Sequence, residues 1–286
     1  MRLHTFLIGL ILLSQGLKAQ NSYEVTYISN EGFIIQLGDK KVLIDGLFDS
    51  ITGNWCDSPD KETVELMRTA RAPFDSIDVI AVTHKHRDHF DRSIIIEHLL
   101  NNPSGVLVCP DQVTRVLSED RHYQTIRSRI VSMTPDTLKS IDTTISNIDI
   151  RSMRLEHSHY MEHDPITGLS KNRHRNIENL GYLIRYKGKS IFHCGDTNPL
   201  NKKEYETFAI HEEHVDLAFL ERLFISKNLQ GWEVIDSFIQ PRQIILMHIA
   251  PRNRSLFEDY AQEVPEMTLF TDKMESRVIT VPSPKQ

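Results

Sequence analysis

A short stretch of the chain, residues 84–89 (HKHRDH), holds three histidines and an aspartate. Neutral imidazole nitrogens and carboxylate oxygens are ligands that suit zinc, and a catalytic zinc site keeps one position open for water. In an extended segment the side chains of His84 and His86 point the same way, and a turn after them would bring Asp88 and His89 towards a second ion. A solvated loop with incidental histidines is the alternative, but so dense a group of ligand-type residues argues against it. The stretch therefore predicts two adjacent metal ions.

Strands and helices in alternation must position this stretch. An apolar run, residues 77–82, is typical of a buried strand and leads into the histidines, so we expect the site where a rigid strand opens into a loop. Further apolar strands alternate with segments of helical pattern, which indicates the α/β class. The predicted helices cover residues 61–70, 92–101, 111–117, 202–211 and 233–240. In the second of them Ser93 is the predicted N-cap, and His98 is expected on the helix surface. Residues 182–186 and 189–192 are predicted to form a hairpin.

The spacing H-x-H-x-D-H after an apolar strand resembles the signature of the metallo-β-lactamase-fold hydrolases. The family pattern also calls for a later histidine, for an aspartate in a Gly-Asp pair that follows a strand, and for a final histidine near the end. Candidates occur in that order in the segments 155–160 (LEHSHY), 189–197 (KSIFHCGDT) and 243–248 (QIILMH). Residues 34–37 and 41–45 resemble the opening hairpin of the family. The resemblance covers most of the chain after residue 20 and implies an αββα four-layer sandwich.

The same resemblance implies a ligand set for a dinuclear zinc centre. The ligands would be His84, His86 and His157 for the first ion, Asp88, His89 and His248 for the second, and Asp196 for both. Asp88 is also the candidate catalytic residue, which would orient the nucleophile or take a proton. The middle histidine stays open between His157, the first histidine after a predicted strand at 148–155, and His159, which would share its direction in an extended segment.

The reaction that this centre implies is hydrolysis. Two zinc ions that hold a water molecule lower its pKa towards neutrality, and the hydroxide would attack an electrophilic carbonyl carbon or phosphorus. The chain resembles the lactonase and phosphodiesterase-like branch, since true β-lactamases place a cysteine where Asp196 stands. We therefore expect a small ester, lactone or phosphodiester as substrate. Zinc is expected rather than redox-active iron, because oxygen-reducing di-iron relatives carry a glutamate where His86 stands. The alternatives are a non-catalytic secreted protein that binds zinc or another ligand on this fold, and an RNA-processing nuclease.

The charge of the chain disfavours nucleic acid as a partner. The chain has 33 Lys and Arg residues against 39 Asp and Glu residues, a formal net charge of −6. An acidic surface repels a phosphate backbone unless basic residues cluster. One local basic cluster, formed by Lys171, Arg173, His174 and Arg175, either contacts a small anionic substrate or is an ordinary solvated loop.

The first twenty residues are typical of a secretory signal peptide. Arg2 precedes an apolar run from Phe6 to Leu17, and cleavage is expected after Ala19 or Gln20. The run is shorter than the roughly 20 residues of a membrane span, although an uncleaved anchor is the alternative. Residues 21–286 contain no linker-like stretch, so we expect a single domain that is exported to the periplasm or secreted.

Export would place three cysteines, Cys56, Cys109 and Cys194, in an oxidising compartment, where they cannot all pair with one another. Cys194 lies close before the candidate Gly-Asp pair, but such a cysteine is more often a small buried apolar residue than a ligand. The loop 46–59, which contains Trp55, either lines the mouth of the active site or is anchored through that ring.

Overall fold

The computed structural model describes residues 22–53, 55–226 and 230–282. The signal peptide predicted over residues 1–20 lies outside these ranges. Within them, no helix is long and apolar enough to cross a membrane.

The described chain forms two seven-stranded mixed sheets, a separate two-stranded hairpin and several short helices. The strands are β1 (Ser22–Ser29), β2 (Gly32–Leu37), β3 (Lys40–Ile44), β4 (Val79–Ala81), β5 (Val106–Cys109), β6 (Ile130–Ser132), β7 (Ser140–Ile145), β8 (Ile148–Leu155), β9 (Met161–His163), β10 (Ser170–Asn172), β11 (Asn179–Tyr186), β12 (Lys189–His193), β13 (Leu217–Glu221), β14 (Gln243–Met247), β15 (Met267–Leu269) and β16 (Ser276–Thr280). The α-helices are α1 (Lys61–Arg68), α2 (Arg92–Asn101), α3 (Asp111–Leu117), α4 (Tyr123–Ile126), α5 (Lys202–Phe208), α6 (Gly231–Val234) and α7 (Arg254–Glu263).

The two sheets are built in the same way. The strand order is β16-β1-β2-β3-β4-β5-β6 in the first sheet and β15-β14-β13-β12-β11-β8-β7 in the second. In each sheet antiparallel strands lead into four parallel ones, β3 to β6 in the first and β12 to β15 in the second. Because parallel strands point the same way, their carboxyl ends lie together at one edge of each sheet.

Side chains of the parallel strands alternate between two apolar layers. In β4, Val79 and Ala81 belong to the core between the sheets, whereas Ile80 packs in a second cluster with α1, α2 and α3. The rings of Phe33 in the first sheet and Phe219 in the second lie 4.8 Å apart, between centroids, in the shared core. Helices α5 and α7 contact β8 and β15 of the second sheet. Parallel strands that are covered on both faces bury the side chains of both faces, so successive residues are apolar. The arrangement confirms the predicted αββα sandwich.

Most predicted elements are present, with differences at their ends. Helices α2 and α3 have the predicted bounds, and β11 and β12 form the predicted hairpin. The N-cap of α2 is Asp91 instead of Ser93, because the Asp91 carboxylate accepts the hydrogen bond from the backbone N–H of Ile94. The helix predicted at 233–240 begins at Gly231 and continues as a π-helical segment over Ile235–Ile239.

The expectation that His98 lies on the helix surface is wrong. Its ring is completely buried. Nδ1–H donates to the carbonyl oxygen of Met67 in α1, at 2.8 Å, and the side-chain amide of Asn102 lies 3.4 Å from Nε2. Burial lowers the pKa of His98. The neutral ring therefore joins α2 to α1, and this partner on another helix is invisible in the pattern of α2 alone.

We predict that His98→Ala lowers the free energy of unfolding by about 2 kcal/mol, because it opens a cavity and leaves the Met67 carbonyl without its donor. The difference from wild type should shrink as the pH falls below roughly 6.5, because the unfolded chain then binds a proton that the buried ring resists. Denaturant titration of the metal-free proteins on both sides of that pH measures this. His163→Ala removes an exposed histidine and is the control, with almost no change expected. Equal stabilities of wild type and His98→Ala above that pH would contradict the prediction.

Candidate metal centre

The candidate ligands follow the carboxyl ends of strands from both sheets. The loop after β4 carries the ligands of residues 84–89, and β8, β12 and β14 of the second sheet precede His157, Asp196 and His248. An isolated bridge between His157 and Thr197 links the loops that follow β8 and β12. The ligand side chains meet where these ends converge, and most of them are buried.

The close approach of the two sheets at this point depends on Gly195. Its φ is +62°, and a Cβ atom there would lie 2.5 Å from Oδ1 of Asn179 and 3.0 Å from Cβ of Thr83. Only glycine is compatible with both the conformation and the contact. The backbone at Gly195 can therefore pack directly on the loop after β4 and bring Asp196 towards the histidines.

Three histidines form a first group, which we call position 1: His84, His86 and His157. Nε2 of His84, Nδ1 of His86 and Nε2 of His157 lie between 3.0 and 3.3 Å from one another. Tetrahedral zinc, with bonds of about 2.0–2.1 Å to nitrogen, would place such nitrogens about 3.3–3.4 Å apart. Oδ2 of Asp196 lies 3.3 Å from Nε2 of His157 and adds a fourth donor. The four side chains therefore fit a zinc ion.

At position 1 the inward ring nitrogens of His84 and His157 direct lone pairs, not N–H groups, towards each other. Thr83 Oγ1 donates to Oδ2 of Asp45, at 2.5 Å, so it accepts the hydrogen bond from Nδ1–H of His84, at 3.0 Å. Nδ1–H of His157 donates to the carbonyl oxygen of Ser158, at 2.8 Å. A neutral imidazole carries only one proton, so Nε2 is unprotonated in both rings. Two such nitrogens 3.3 Å apart repel each other unless a cation lies between them.

A second group, which we call position 2, consists of Asp88, His89 and His248. Nε2 of His89 and Nε2 of His248 lie 3.4 and 3.5 Å from Oδ2 of Asp88. Nδ1–H of His89 donates to Asp45, at 3.0 Å, and Nδ1–H of His248 donates to Glu221, at 3.2 Å. Nε2 of His89 is buried and has no hydrogen-bond partner within the described residues. A metal ion at position 2 would satisfy that nitrogen.

The carboxylate of Asp196 lies between the two positions. It is within ligand distance of the position 1 histidines and also of His248. Ser158 Oγ donates to Oδ1 of Asp196, at 2.6 Å, which fixes the orientation of the carboxylate. On the other side, the side-chain amide of Asn30 donates to Oδ2 of Asp88, at 3.2 Å. Both acidic ligands are thus held by hydrogen bonds from neighbours.

The surroundings differ electrostatically between the two positions. Burial lowers the pKa of His84 well below its usual value, that of His86 to about 3 and that of His157 to about 4. At position 2 burial also opposes the charged imidazole, but nearby carboxylates outweigh it and raise the pKa of both His89 and His248 well above the usual value. Position 1 is therefore a set of neutral imidazoles, whereas position 2 lies in a region of negative potential.

The structure brings all seven predicted ligands together in these two positions, with Asp196 between them. Of the two candidates for the middle ligand, His157 lies in position 1, whereas the side chain of His159 is 43% exposed and pairs with Glu156 at 2.8 Å. The three cysteines lie in the described ranges and are unpaired and buried. The thiol of Cys194 donates to the carbonyl oxygen of Gly195, at 3.0 Å, as expected for a core residue.

Sequence reasoning assigned no role to the acidic residues behind the ligands. Asp45 and Glu221 each lie at the carboxyl end of an apolar strand, the same signal that identified Asp196, so both could have been found. Glu31 carries no such signal, because it lies in the turn between β1 and β2. It is nevertheless completely buried beside the ligands.

His174, one member of the predicted basic cluster, forms a wall of position 1. Its ring centroid lies 4.7 Å from that of His86 and 4.4 Å from that of His157. Its Nδ1–H donates to the same carbonyl oxygen of Ser158 that accepts from His157, at 3.0 Å. The ring of Tyr160 packs against it, 5.5 Å away. A side chain that was expected in either a substrate-binding or a solvated loop thus contacts the ligands themselves.

The other members of the cluster, Lys171, Arg173 and Arg175, line a surface cavity of about 420 Å³. None of the seven predicted ligands lines this cavity. Arg173 also pairs with Glu162, at 3.2 Å. These three cations are therefore separate from the donor groups.

The loop 46–59 is anchored through Asp57. The buried carboxylate of Asp57 accepts from the Tyr27 hydroxyl, at 3.0 Å, and from the Arg254 guanidinium, at 2.9 Å. Trp55, by contrast, is 48% exposed. The loop is held by this buried polar contact, and the Trp55 ring is left accessible.

Known proteins are similar to this chain in sequence. The family model described as the beta-lactamase superfamily domain matches residues 40–253. A protein of Pyrococcus furiosus named as a UPF0173 metal-dependent hydrolase is 24% identical over 228 residues, which are 79% of this chain and 84% of that protein.

Two solved structures show the same fold. A metallo hydrolase of Ignicoccus hospitalis superposes with a TM-score of 0.58 at 13% identity, over 91% of this chain and all of that chain. The di-iron β-hydroxylase CmlA of Streptomyces venezuelae superposes with a TM-score of 0.55 at 14% identity, over 91% of this chain and 54% of the longer enzyme.

We predict that His157→Ala weakens the binding of added Zn²⁺ at position 1 by more than about 100-fold, which exceeds the usual cost of losing a partner behind a ligand. The cause is the loss of a donor nitrogen from position 1. His159→Ala is the matched control, two residues away, and should bind zinc like wild type because that ring is exposed. Zinc titration against a chromophoric chelator measures both. The reverse order of the two variants would assign the ligand role to His159.

Proposed function

We propose, from the premise that the chain belongs to the metallo-β-lactamase superfamily, that it is a dinuclear zinc enzyme that hydrolyses an ester, lactone or phosphodiester bond in a small substrate. The chain is a metal-dependent hydrolase of that fold. The observation that carries the finer proposal is the pair of donor groups, in which imidazole nitrogens and carboxylate oxygens converge at each of the two positions.

Zinc is supported by the chemistry of the donors. Position 1 offers three imidazole nitrogens and a carboxylate oxygen, and position 2 offers two imidazole nitrogens and a carboxylate oxygen. Imidazole and carboxylate ligands with a coordination place left over for water are typical of catalytic zinc sites. This chain has His86 at the position where the oxygen-reducing di-iron relatives carry a glutamate. The histidine favours hydrolysis over redox chemistry.

The residues of the site have separate tasks in this proposal. Zinc ions in the two positions would lower the pKa of a water molecule between them and polarise the bond to be cleaved. Asp88, held by Asn30, is placed to orient that water or to take its proton. Asp196, held by Ser158, is the carboxylate that both positions would share. The outer partners of the histidines keep Nδ1 protonated in His84 and His157, so that Nε2 points inwards.

The proposed substrate is small because the chain carries no feature that favours a polymeric anion. His174 packs on the ring of His86 at position 1, and Tyr160 packs on His174. The acidic balance of the chain favours a small molecule over an RNA, whose phosphates would be repelled.

We predict that the chain purified without added metal contains about two zinc ions, measured by plasma mass spectrometry. Removal of the metal with a chelator should abolish hydrolysis across a panel of esters, lactones and phosphodiesters, and added zinc should restore it. His84→Ala should lose at least one ion and all activity. His98→Ala should keep its metal content and its activity. Two bound ions without turnover of any substrate would favour a non-catalytic binding protein. Native iron in place of zinc would contradict the zinc assignment and direct the search to redox substrates.

We also propose that the protein is exported by the signal peptide predicted at residues 1–20. In cells of a bacterial host, the mature protein should lack these residues and begin after Ala19 or Gln20, as measured by intact mass and by fractionation of the periplasm. An unprocessed chain that begins at Met1 would contradict this proposal.

A further inference from the structure

The histidines of the two positions are supported from behind by different groups. At position 1, Nδ1–H of His84 donates to the hydroxyl of Thr83, and Nδ1–H of His157 donates to the backbone carbonyl of Ser158. Both acceptors are neutral. The support therefore fixes the rings without adding charge.

At position 2 the supporting groups are carboxylates. Nδ1 of His89 lies 3.0 Å from Oδ2 of Asp45 and 3.6 Å from Oε2 of Glu31. Nδ1 of His248 lies 3.2 Å from Oε1 of Glu221 and 4.0 Å from Oε1 of Glu31. The side chains of all three acids are buried. Glu31 alone lies beside both rings.

Glu31 has no competing partner among the described residues. Both of its carboxylate oxygens are buried and make no hydrogen bond there. His193 is close, but its Nε2–H donates to the backbone carbonyl of Glu31, at 3.2 Å, and its Nδ1 accepts from the N–H of Gly195, at 3.2 Å. Because both nitrogens of His193 are engaged, Glu31, Asp45 and His193 do not form a further metal site. The rings of His89 and His248 lie between Glu31 and position 2, so Glu31 would act on an ion there through these two imidazoles.

A carboxylate behind a ligand histidine increases the electron density at the ligating nitrogen, and such outer partners typically change metal affinity 10- to 100-fold. A buried carboxylate is also costly unless positive charge lies near it, so an ion at position 2 would add to the stabilisation of Glu31 by the two rings. Carboxylates lie directly behind the rings only at position 2, since Asp45 reaches His84 only through the Thr83 hydroxyl. We propose that position 2 binds zinc more tightly than position 1, and that Glu31 is a positioning residue that sets this difference. This inference rests on the proposed dinuclear site.

The test is a titration of chelator-stripped protein with Zn²⁺ against chromophoric chelators, which resolves the two binding events without any substrate. Wild type should bind its first ion more tightly than its second. His248→Ala should lose the tight event, whereas His157→Ala should keep it and lose the weak one. Glu31→Gln, which replaces the carboxylate by a neutral group of equal size, should weaken the tight event by about 10- to 100-fold and leave the weak event within about threefold of wild type.

Two further variants separate this role from a structural one. Glu31→Asp keeps the charge and should recover most of the lost affinity. Asp216→Asn removes a buried carboxylate at the opposite end of β13, where it pairs with Arg242 at 2.8 Å, and should change neither binding event. Thermal unfolding of the metal-free proteins should show that Glu31→Gln unfolds in one cooperative transition like wild type, so that its loss of zinc affinity is not a loss of the fold.

The outcomes distinguish the two proposals. Failure of wild type to bind zinc at all would overturn both. Two events of equal affinity, retention of the tight event in His248→Ala, or wild-type zinc affinities in Glu31→Gln would overturn the order of binding and the role of Glu31. Each of these leaves the dinuclear hydrolase intact.

Discussion

Two ring nitrogens without protons, Nε2 of His84 and Nε2 of His157, face each other at 3.3 Å in a buried setting. No hydrogen bond can form between two acceptors, and burial removes the water that could separate them. Each ring is held in this orientation by a hydrogen bond on its far side, so neither can turn away without exposing a buried polar group. The arrangement is favourable only around a cation. The loops and sheets that hold these rings are therefore best understood as a scaffold that creates a place for positive charge.

The scaffold achieves this by joining the carboxyl ends of strands from two separate sheets. Neither sheet contains a complete donor group, since position 1 combines the loop after β4 with the loop after β8. The loops of the two sheets pack so closely at residue 195 that only glycine fits there. Asp45 and His248 have left-handed backbones, with φ of +46° and +59°. Residues other than glycine adopt that conformation rarely. Strain at these two residues is opposed by the apolar core between the sheets, which resists any displacement that would relax it.

The ligands could be predicted from the sequence because each follows an apolar run, and such a run fixes where a strand ends and a polar side chain emerges. His157 and His159 could not be separated in this way, since an extended segment points both in one direction. In the structure His157 forms a bridge with Thr197, which lies in the distant loop after β12. Glu31 and His98 were missed or misplaced for a related reason. Their surroundings come from distant parts of the chain, His89 and His248 for one and Met67 for the other, and no local periodicity encodes such contacts.

The charges around the centre also constrain which groups can act in hydrolysis. Position 2 is surrounded by Asp45, Glu221, Glu31 and the candidate ligand Asp88. Without bound metal, these carboxylates would repel a negatively charged transition state. Lys171, Arg173 and Arg175 line a separate cavity and are not among the donor groups. In the proposed reaction, the stabilisation of developing negative charge would then come chiefly from metal ions in the two positions, which are the largest local positive charges in such a site. The carboxylates behind the histidines of position 2 would hold such an ion in place through the rings of His89 and His248.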